Sequence, residues 1–170
     1  MNADVDPVPG WYARAGRNAQ SLIGTTLGDS YLIEALIDEG GMAEVYRGTH
    51  TRLGSAVAVK IITRSLANKR SYLDRFYREA TIISQLHHPH IVSVQDFDLT
   101  EDGRPYLVME LLEGETLGDR VAREAPLPAD DVARMVWDIA SALEAAHAAS
   151  VVHRDLKPDN IFLVEAAGER

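Results

Sequence analysis

Cysteine does not occur in the 170 residues, which excludes disulfides and thiolate-held metal ions. Positive charge is scarce: 17 Lys and Arg face 26 Asp and Glu, a formal net charge of −9 at pH 7. Such a chain is repelled by phosphate backbones and anionic lipid, so nucleic acid and membrane surfaces are disfavoured as partners. Long hydrophobic runs are missing too. No stretch approaches the ~20 apolar residues of a spanning helix. At the N-terminus, Asp4, Asp6, Pro7 and Pro9 occupy the place where a secretory signal has its apolar core. Internal repeats and low-complexity tracts are absent, which sets solenoids aside. These absences lead to the expectation of a soluble, cytoplasmic chain with no membrane segment.

What is present has a globular character. Hydrophobic residues make up 46% and charged residues 25%, near the averages for packed domains. Residues 1–28 mix Asp, Pro, Gly, Arg and Asn with little periodicity, and read as a flexible leader with a short helix around Tyr12 to Leu22. From Tyr31 the pattern turns to strands: Tyr31 to Ile37, Glu44 to Gly48, Ser55 to Ile62, Ile91 to Val94 and Tyr106 to Met109. Turn signals such as Asp38-Glu39-Gly40-Gly41 and Glu101-Asp102-Gly103-Arg104 separate them. Alternation puts Ala58, Lys60 and Ile62 on one face, and Val57, Val59 and Ile61 on the other.

Two helices complete the outline. Leu73, Phe76, Tyr77, Ala80, Ile83 and Leu86 recur at helical spacing, and Pro89 is expected to end that helix. A second helix is expected from Ala129 to Ala149, with Val132, Met135, Val136, Ile139, Leu143 and Ala146 as its apolar stripe. Asp130 and Asp131 stand in its first turn, where the helix dipole favours anions. The expected class is α+β: an antiparallel-sheet lobe with one inserted helix, then helices.

The strongest chemical signal is the octapeptide His153-Arg154-Asp155-Leu156-Lys157-Pro158-Asp159-Asn160. It matches His-Arg-Asp-Leu-x-x-x-Asn, in which Asp serves as base and Asn as metal ligand. Val57-Ala58-Val59-Lys60 matches a Val-Ala-Ile-Lys strand, although Lys60 alone is as well read as an exposed strand lysine. Asp38-Glu39-Gly40-Gly41-Met42-Ala43-Glu44-Val45 stands where a Gly-rich phosphate loop belongs, with only Gly40 of the three patterned glycines in place. Taken alone it is equally a β-turn. His87, His88 and His90 flank Pro89 in a turn. With no Cys and no carboxylate at ligand spacing, that is a better reading than a metal site.

In this order and at these spacings, residues 30–164 resemble the protein kinases, and specifically the bacterial serine/threonine kinases. The resemblance implies a protein-kinase-like fold with a complete small lobe at 29–110 and a hinge with part of the helical lobe at 111–170. It implies transfer of the ATP γ-phosphoryl group to Ser or Thr hydroxyls of protein substrates, with Mg²⁺. By the same resemblance Asp155 is the base and Lys157 neutralises charge on the transferred group. Lys60 pairs with the α- and β-phosphates and with Glu79 of the helix. Gly40 and Gly41 pass over the phosphates, with the acidic Asp38 beside them in place of a glycine. Val45 and Ala58 flank the adenine, Met109 is the gatekeeper, and Phe162 floors the pocket. Glu110 and Leu112 offer backbone groups to the adenine edge, and Asn160 ligates Mg²⁺. His153 is structural, and Arg154 meets a phosphorylated activation loop.

An Asp-Phe-Gly triplet, which supplies a second metal-binding Asp in kinases, does not occur in the 170 residues. The expectation is therefore a kinase truncated before that element and inactive on its own, with the apolar stripe of the second helix left exposed. A non-catalytic nucleotide-binding or pseudokinase-like interaction module is the alternative. Asp155 weighs against it, because a module that only binds has no use for a base.

Overall fold

The computed structural model describes residues 22–67, 76 and 80–164. Six strands form one antiparallel sheet: β1 (Thr26–Leu27), β2 (Tyr31–Glu39), β3 (Ala43–His50), β4 (Ala56–Ile62), β5 (Val94–Leu99) and β6 (Pro105–Glu110). Their spatial order is β1-β2-β3-β4-β6-β5. A single helical turn, α1 (Arg64–Ala67), follows β4. The β-branched and aromatic residues that favour strands sort by parity, as the alternation of β4 requires. Val57, Val59 and Ile61 join Tyr31, Ile33, Leu36, Tyr46, Tyr106 and Val108 in the main core. Ile62 joins Ala43, Phe76 and Ala80 in a smaller core on the opposite face.

The sheet curls around the main core. Tyr31 Oη of β2 donates a 2.9 Å hydrogen bond to Asp96 Oδ2 of β5, although β3, β4 and β6 lie between them in the sheet. Burial pushes the Tyr31 phenol up to about 12, and the Asp96 acceptor adds to the effect. The phenol therefore remains a donor across the neutral range. At about 1.5–3 kcal/mol for each large apolar side chain removed from water, this core outweighs any single polar contact.

Three expectations are corrected. The sheet begins at β1, inside the stretch read as leader, because Leu27 is buried in the main core; residues 1–21 lie outside the described residues. The fourth expected strand does not run from Ile91 to Val94 but starts at Val94 and continues to Leu99. A register shift between Val94 and Asp96 breaks the two-residue period, and Asp96 and Asp98 stand on the main-core face, opposite Val108 and Tyr106, so no apolar alternation marked it. In the first long helix, residue 76 and residues 80–83 are helical, and Leu86 already lies in the turn. Ser84 Oγ donates to the Thr81 carbonyl and tight bonds from Gln85 and Leu86 follow, so the helix ends before Pro89 can act.

Beyond β6 come β7 (Gly114–Thr116), α2 (Leu117–Glu124), α3 (Ala129–Ala148), a 3₁₀ turn (Pro158–Asn160) and β8 (Phe162–Val164). Thr116 caps α2 reciprocally: its Oγ1 accepts from Asp119 N–H at 3.0 Å and donates to Asp119 Oδ2 at 2.8 Å. Helix α3 matches its expected span within a residue and buries none of its side chains. In the apolar stripe Val132 and Val136 are exposed, Val136 at 59%, whereas Met135, Ile139, Leu143 and Ala146 are half-buried. At its C-terminus Ser150 adopts a left-handed φ of 62°, and Val151 N–H bonds back to Ala146 O at 2.9 Å, which turns the chain toward residues 153–160. Among the described residues no helix is long and apolar enough to cross a membrane.

Candidate active site

Direct pairing across the sheet gathers one set of groups. Val45 lies opposite Lys60, Lys60 opposite Leu107, and Ala58 opposite Met109. Residues directly opposite share a face, so Val45, Ala58, Lys60 and Met109 all lie on the face of the smaller core. Ala58 is buried and Lys60 exposed. A small apolar step followed by a free-reaching ammonium suits a ligand with a flat apolar head and an anionic tail. Glu79, the expected partner of Lys60, lies outside the described residues.

The hairpin tip between β2 and β3 is tied to the chain just past β4. Gly40 N–H donates to Ala43 O at 2.9 Å, and Thr63 N–H donates to Met42 O at 3.0 Å. A Cβ added at Gly41 meets nothing within 4 Å, and at Gly40 the nearest atom is Ala43 O at 3.6 Å. Neither glycine has a left-handed backbone, so the fold itself requires glycine at neither position. The room they keep fits the close approach of a phosphate chain to the backbone. Asp38 Oδ1 accepts the Glu39 N–H at 2.9 Å, which engages the acid with its own chain.

At the other end of the face, Glu110 is tied twice to Ser93. Glu110 N–H donates to Ser93 O at 3.1 Å, and Ser93 N–H donates to Glu110 Oε1 at 2.7 Å. That commits the Glu110 N–H and leaves its carbonyl for a ligand. Residues 111–113, Leu112 among them, belong to no helix or strand.

The octapeptide forms a compact polar cluster. Lys157 Nζ stands 3.2 Å from Asp155 Oδ2. Asn160 Nδ2 donates to Asp155 O at 2.7 Å and to Oδ2 at 3.0 Å. Arg154 holds a left-handed φ of 62°, and Asp155 N–H bonds His153 O at 2.8 Å. A non-glycine residue in that region costs about 1–3 kcal/mol and is seen where surroundings enforce it, often at functional sites. The hydrogen bonds from Lys157 and from Asn160, with the Lys157 charge, hold the Asp155 carboxyl below the usual carboxylate range. With the folded value lowered, Asp155 is ionised throughout the neutral range, and the cluster loses its charge only as pH falls through the lowered value. In Lys157→Met the Asp155 titration, followed by carboxyl ¹³C NMR, is expected to move up toward the ordinary value; an unmoved titration would show that Lys157 does not set it.

Two connections bring this cluster to the hinge. β7 pairs with β8, matching Gly114 with Val164, Glu115 with Leu163 and Thr116 with Phe162. Leu117 N–H, the first of α2, donates to Ile161 O at 2.8 Å. Gly114, at φ 147°, allows the approach: a Cβ there would lie 2.0 Å from Leu163 O. Phe162 is thereby held beside the hinge. The sequence reading missed Gly114, whose only signal was a glycine between two acids just past an apolar run. The histidine turn is also structural: His88 Nε2 lies 3.1 Å from Ser141 Oγ and His90 Nε2 3.3 Å from Asp138 Oδ1, docking it on α3.

The donor set fits a hard divalent cation held by few protein ligands. Asn160 spends its amide protons on Asp155, which leaves the carboxamide oxygen for an ion, with the Asp155 carboxylate adjacent. Among the described residues no group of three His, Cys, Asp or Glu could form a protein cage. Mg²⁺ typically takes one or two protein oxygens and completes its shell with phosphates and water.

The protein kinase domain profile matches residues 31–169. Serine/threonine-protein kinase pkn3 of Myxococcus xanthus is 42% identical over 141 residues, covering 83% of this chain and 26% of that protein. Serine/threonine-protein kinase PknL of Mycobacterium tuberculosis is 40% identical over 138 residues, covering 81% and 34%. The crystal structure of the Mycobacterium tuberculosis PknI kinase domain superposes with a TM-score of 0.75 at 29% identity, covering 83% of this chain and 58% of that one. The chain thus spans a quarter to a third of these curated relatives and just over half of a solved kinase domain.

Proposed function

The chain belongs to the protein kinase family, and from that premise we propose that its site binds Mg²⁺·ATP and serves transfer of the γ-phosphoryl group to Ser or Thr hydroxyls of proteins, in the cytoplasm where ATP is held. The observation that carries this is the Asp155 cluster: an ionised carboxylate, flanked by Lys157 and Asn160, fastened to the hinge by the β7–β8 pair. In this reading Met109, the Glu110 carbonyl and Leu112 N–H meet the adenine, with Ala58 and Val45 above and Phe162 below. Lys60 draws the α- and β-phosphates, and Gly40 and Gly41 admit them to the backbone. Asp155 orients and deprotonates the acceptor hydroxyl, and Lys157 neutralises charge on the group in transit. Such positioning and charge neutralisation make up most of the protein's part in phosphoryl transfer. Asn160 would hold Mg²⁺, which when bound supplies charge neutralisation on the phosphates.

Asn160 is one side-chain ligand where the family uses two, so the 170-residue chain alone is expected to bind ATP and to turn over none. Calorimetry of the chain with ATP, with and without Mg²⁺, is expected to show metal-dependent binding that Asp155→Asn leaves within about twofold, because Asp155 serves the hydroxyl rather than the nucleotide. No binding by the unaltered chain would refute the reading. Release of labelled phosphate that disappears in Asp155→Asn would overturn the expectation that the chain alone is inactive.

A further inference from the structure

A chain of alternating charges, buried at Arg104 and exposed at Arg64, runs along the β2–β3 hairpin from the face opposite Lys60. Glu44, Ile61 and Tyr106 stand side by side across β3, β4 and β6, so the Glu44 side chain points to the main core. There Glu44 Oε2 accepts from Tyr46 Oη at 2.9 Å and faces Arg104 Nη1 at 3.5 Å. Arg104 is 7% exposed. Its Nε reaches both Asp102 oxygens at 3.2 and 3.1 Å, and Arg64 Nη2 closes on Asp102 Oδ2 at 2.7 Å. Arg64 adjoins Thr63, whose N–H holds the Met42 carbonyl of the hairpin tip.

The C-terminal leg of the tip is thus gripped at two points: Met42, by the backbone of Thr63, and Glu44, by Arg104. Burial raises the Asp102 carboxyl, but the bonds from Thr100 and Arg104 and the charges of Arg104 and Arg64 outweigh it and hold it lowered. Burial, and the bond to Glu44, push the Tyr46 phenol well above its ordinary range, so it stays a donor to Glu44. Residues 38–42 are themselves exposed. The result is an exposed tip on a clamped base. Three carboxylates, those of Asp38, Glu39 and Glu44, surround that tip, and Arg104 faces the one turned into the core.

We propose that Arg104 is a positioning residue for nucleotide phosphates: through Glu44 it fixes the leg of the hairpin tip and offsets a carboxylate that would otherwise repel them. The proposal rests on reading residues 38–45 as the phosphate loop, and it goes beyond that reading by assigning a control point outside the cleft. A phosphate-specific role predicts a split. Loss of Arg104 weakens ATP binding while adenosine, held at the hinge, is unaffected.

Two variants test it. Arg104→Lys keeps charge and stem but lacks the planar fork that reaches Asp102 and Glu44 together; Arg104→Met removes the charge. Amide hydrogen exchange over residues 39–46, without nucleotide, is expected to speed up about tenfold in Arg104→Met and less in Arg104→Lys. ATP affinity is expected to fall about tenfold in Arg104→Met, with adenosine affinity within twofold of the parent. Should Arg104→Met not fold, Arg104→Lys carries the same split at smaller size. Unchanged exchange in the folded variants overturns the clamp. Faster exchange with equal losses for ATP and adenosine overturns its phosphate role. If the unaltered chain binds neither nucleotide, the phosphate role falls together with the functional reading, and the exchange rates still decide the clamp.

Discussion

Gly114→Val is expected to separate β7 from β8 and to destabilise the chain by roughly 2–5 kcal/mol, adding the strain of a glycine-only backbone region to that of overpacking. The clash is with backbone: a Cβ at this position lies 2.0 Å from Leu163 O and 3.0 Å from Leu163 C, so no side-chain rotation relieves it. Two consequences should appear together. Urea unfolding should shift to lower midpoint, and amide protection at Leu163 and Glu115, partners in the ladder, should vanish. Gly41→Ala is the control, since an added methyl there meets nothing within 4 Å; its effect on stability is expected to stay within about 0.5 kcal/mol. Equal stability of Gly114→Val and the parent would mean that β7 and β8 do not pair.

Lys60→Met is expected to lower ATP affinity about 10- to 100-fold, the loss that follows from removing charge-assisted bonds worth roughly 1.5–3 kcal/mol. The side chain is exposed on the cleft face, and methionine preserves much of its stem, so folding stability is expected to change by less than about 0.5 kcal/mol. Adenosine, which lacks phosphates, should bind the variant as it binds the parent. An equal loss for both ligands would place Lys60 in packing rather than in phosphate recognition. Raising salt should narrow the difference between variant and parent for ATP, because charge attraction is screened while hinge contacts are not.

Much of this was readable in the residues, for identifiable reasons. The alternation of β4 gave the cleft face, because burial on both sides left its parity unbroken through Val57 to Ile62. The second long helix kept its span because its apolar stripe has a regular period. Legibility failed where a long-range partner overrides local pattern. β5 carries an acid, Asp96, on the main-core face because that acid is the acceptor for Tyr31, 65 residues away, and no window of sequence contains both. β7 is three residues long and exists only because β8 arrives beside it. Arg104 read as part of a polar turn, yet it is buried, since its partner Glu44 comes from β3, 60 residues away. The octapeptide pointed to the family, but the hold of Lys157 and Asn160 on Asp155 required the 3₁₀ turn at Pro158–Asn160.

The paired hydrogen bonds between Ser93 and Glu110 have a mechanical outcome. The sheet meets the α3 region at the histidine turn, just before Ser93, and through residues 111–113, just after Glu110. A swing of the sheet about these two roots, which the Ser93 and Glu110 bonds lace together, moves its far end most. Glu110 pairs with Val57 at the pinned end, whereas Ile62 and Ala43 lie at the far end of the same strands. Five residues at ~3.3 Å make a lever of about 17 Å. A rotation of about 10° then sweeps the hairpin tip by roughly 3 Å and leaves the Glu110 end nearly still, a displacement comparable to the length of one hydrogen bond.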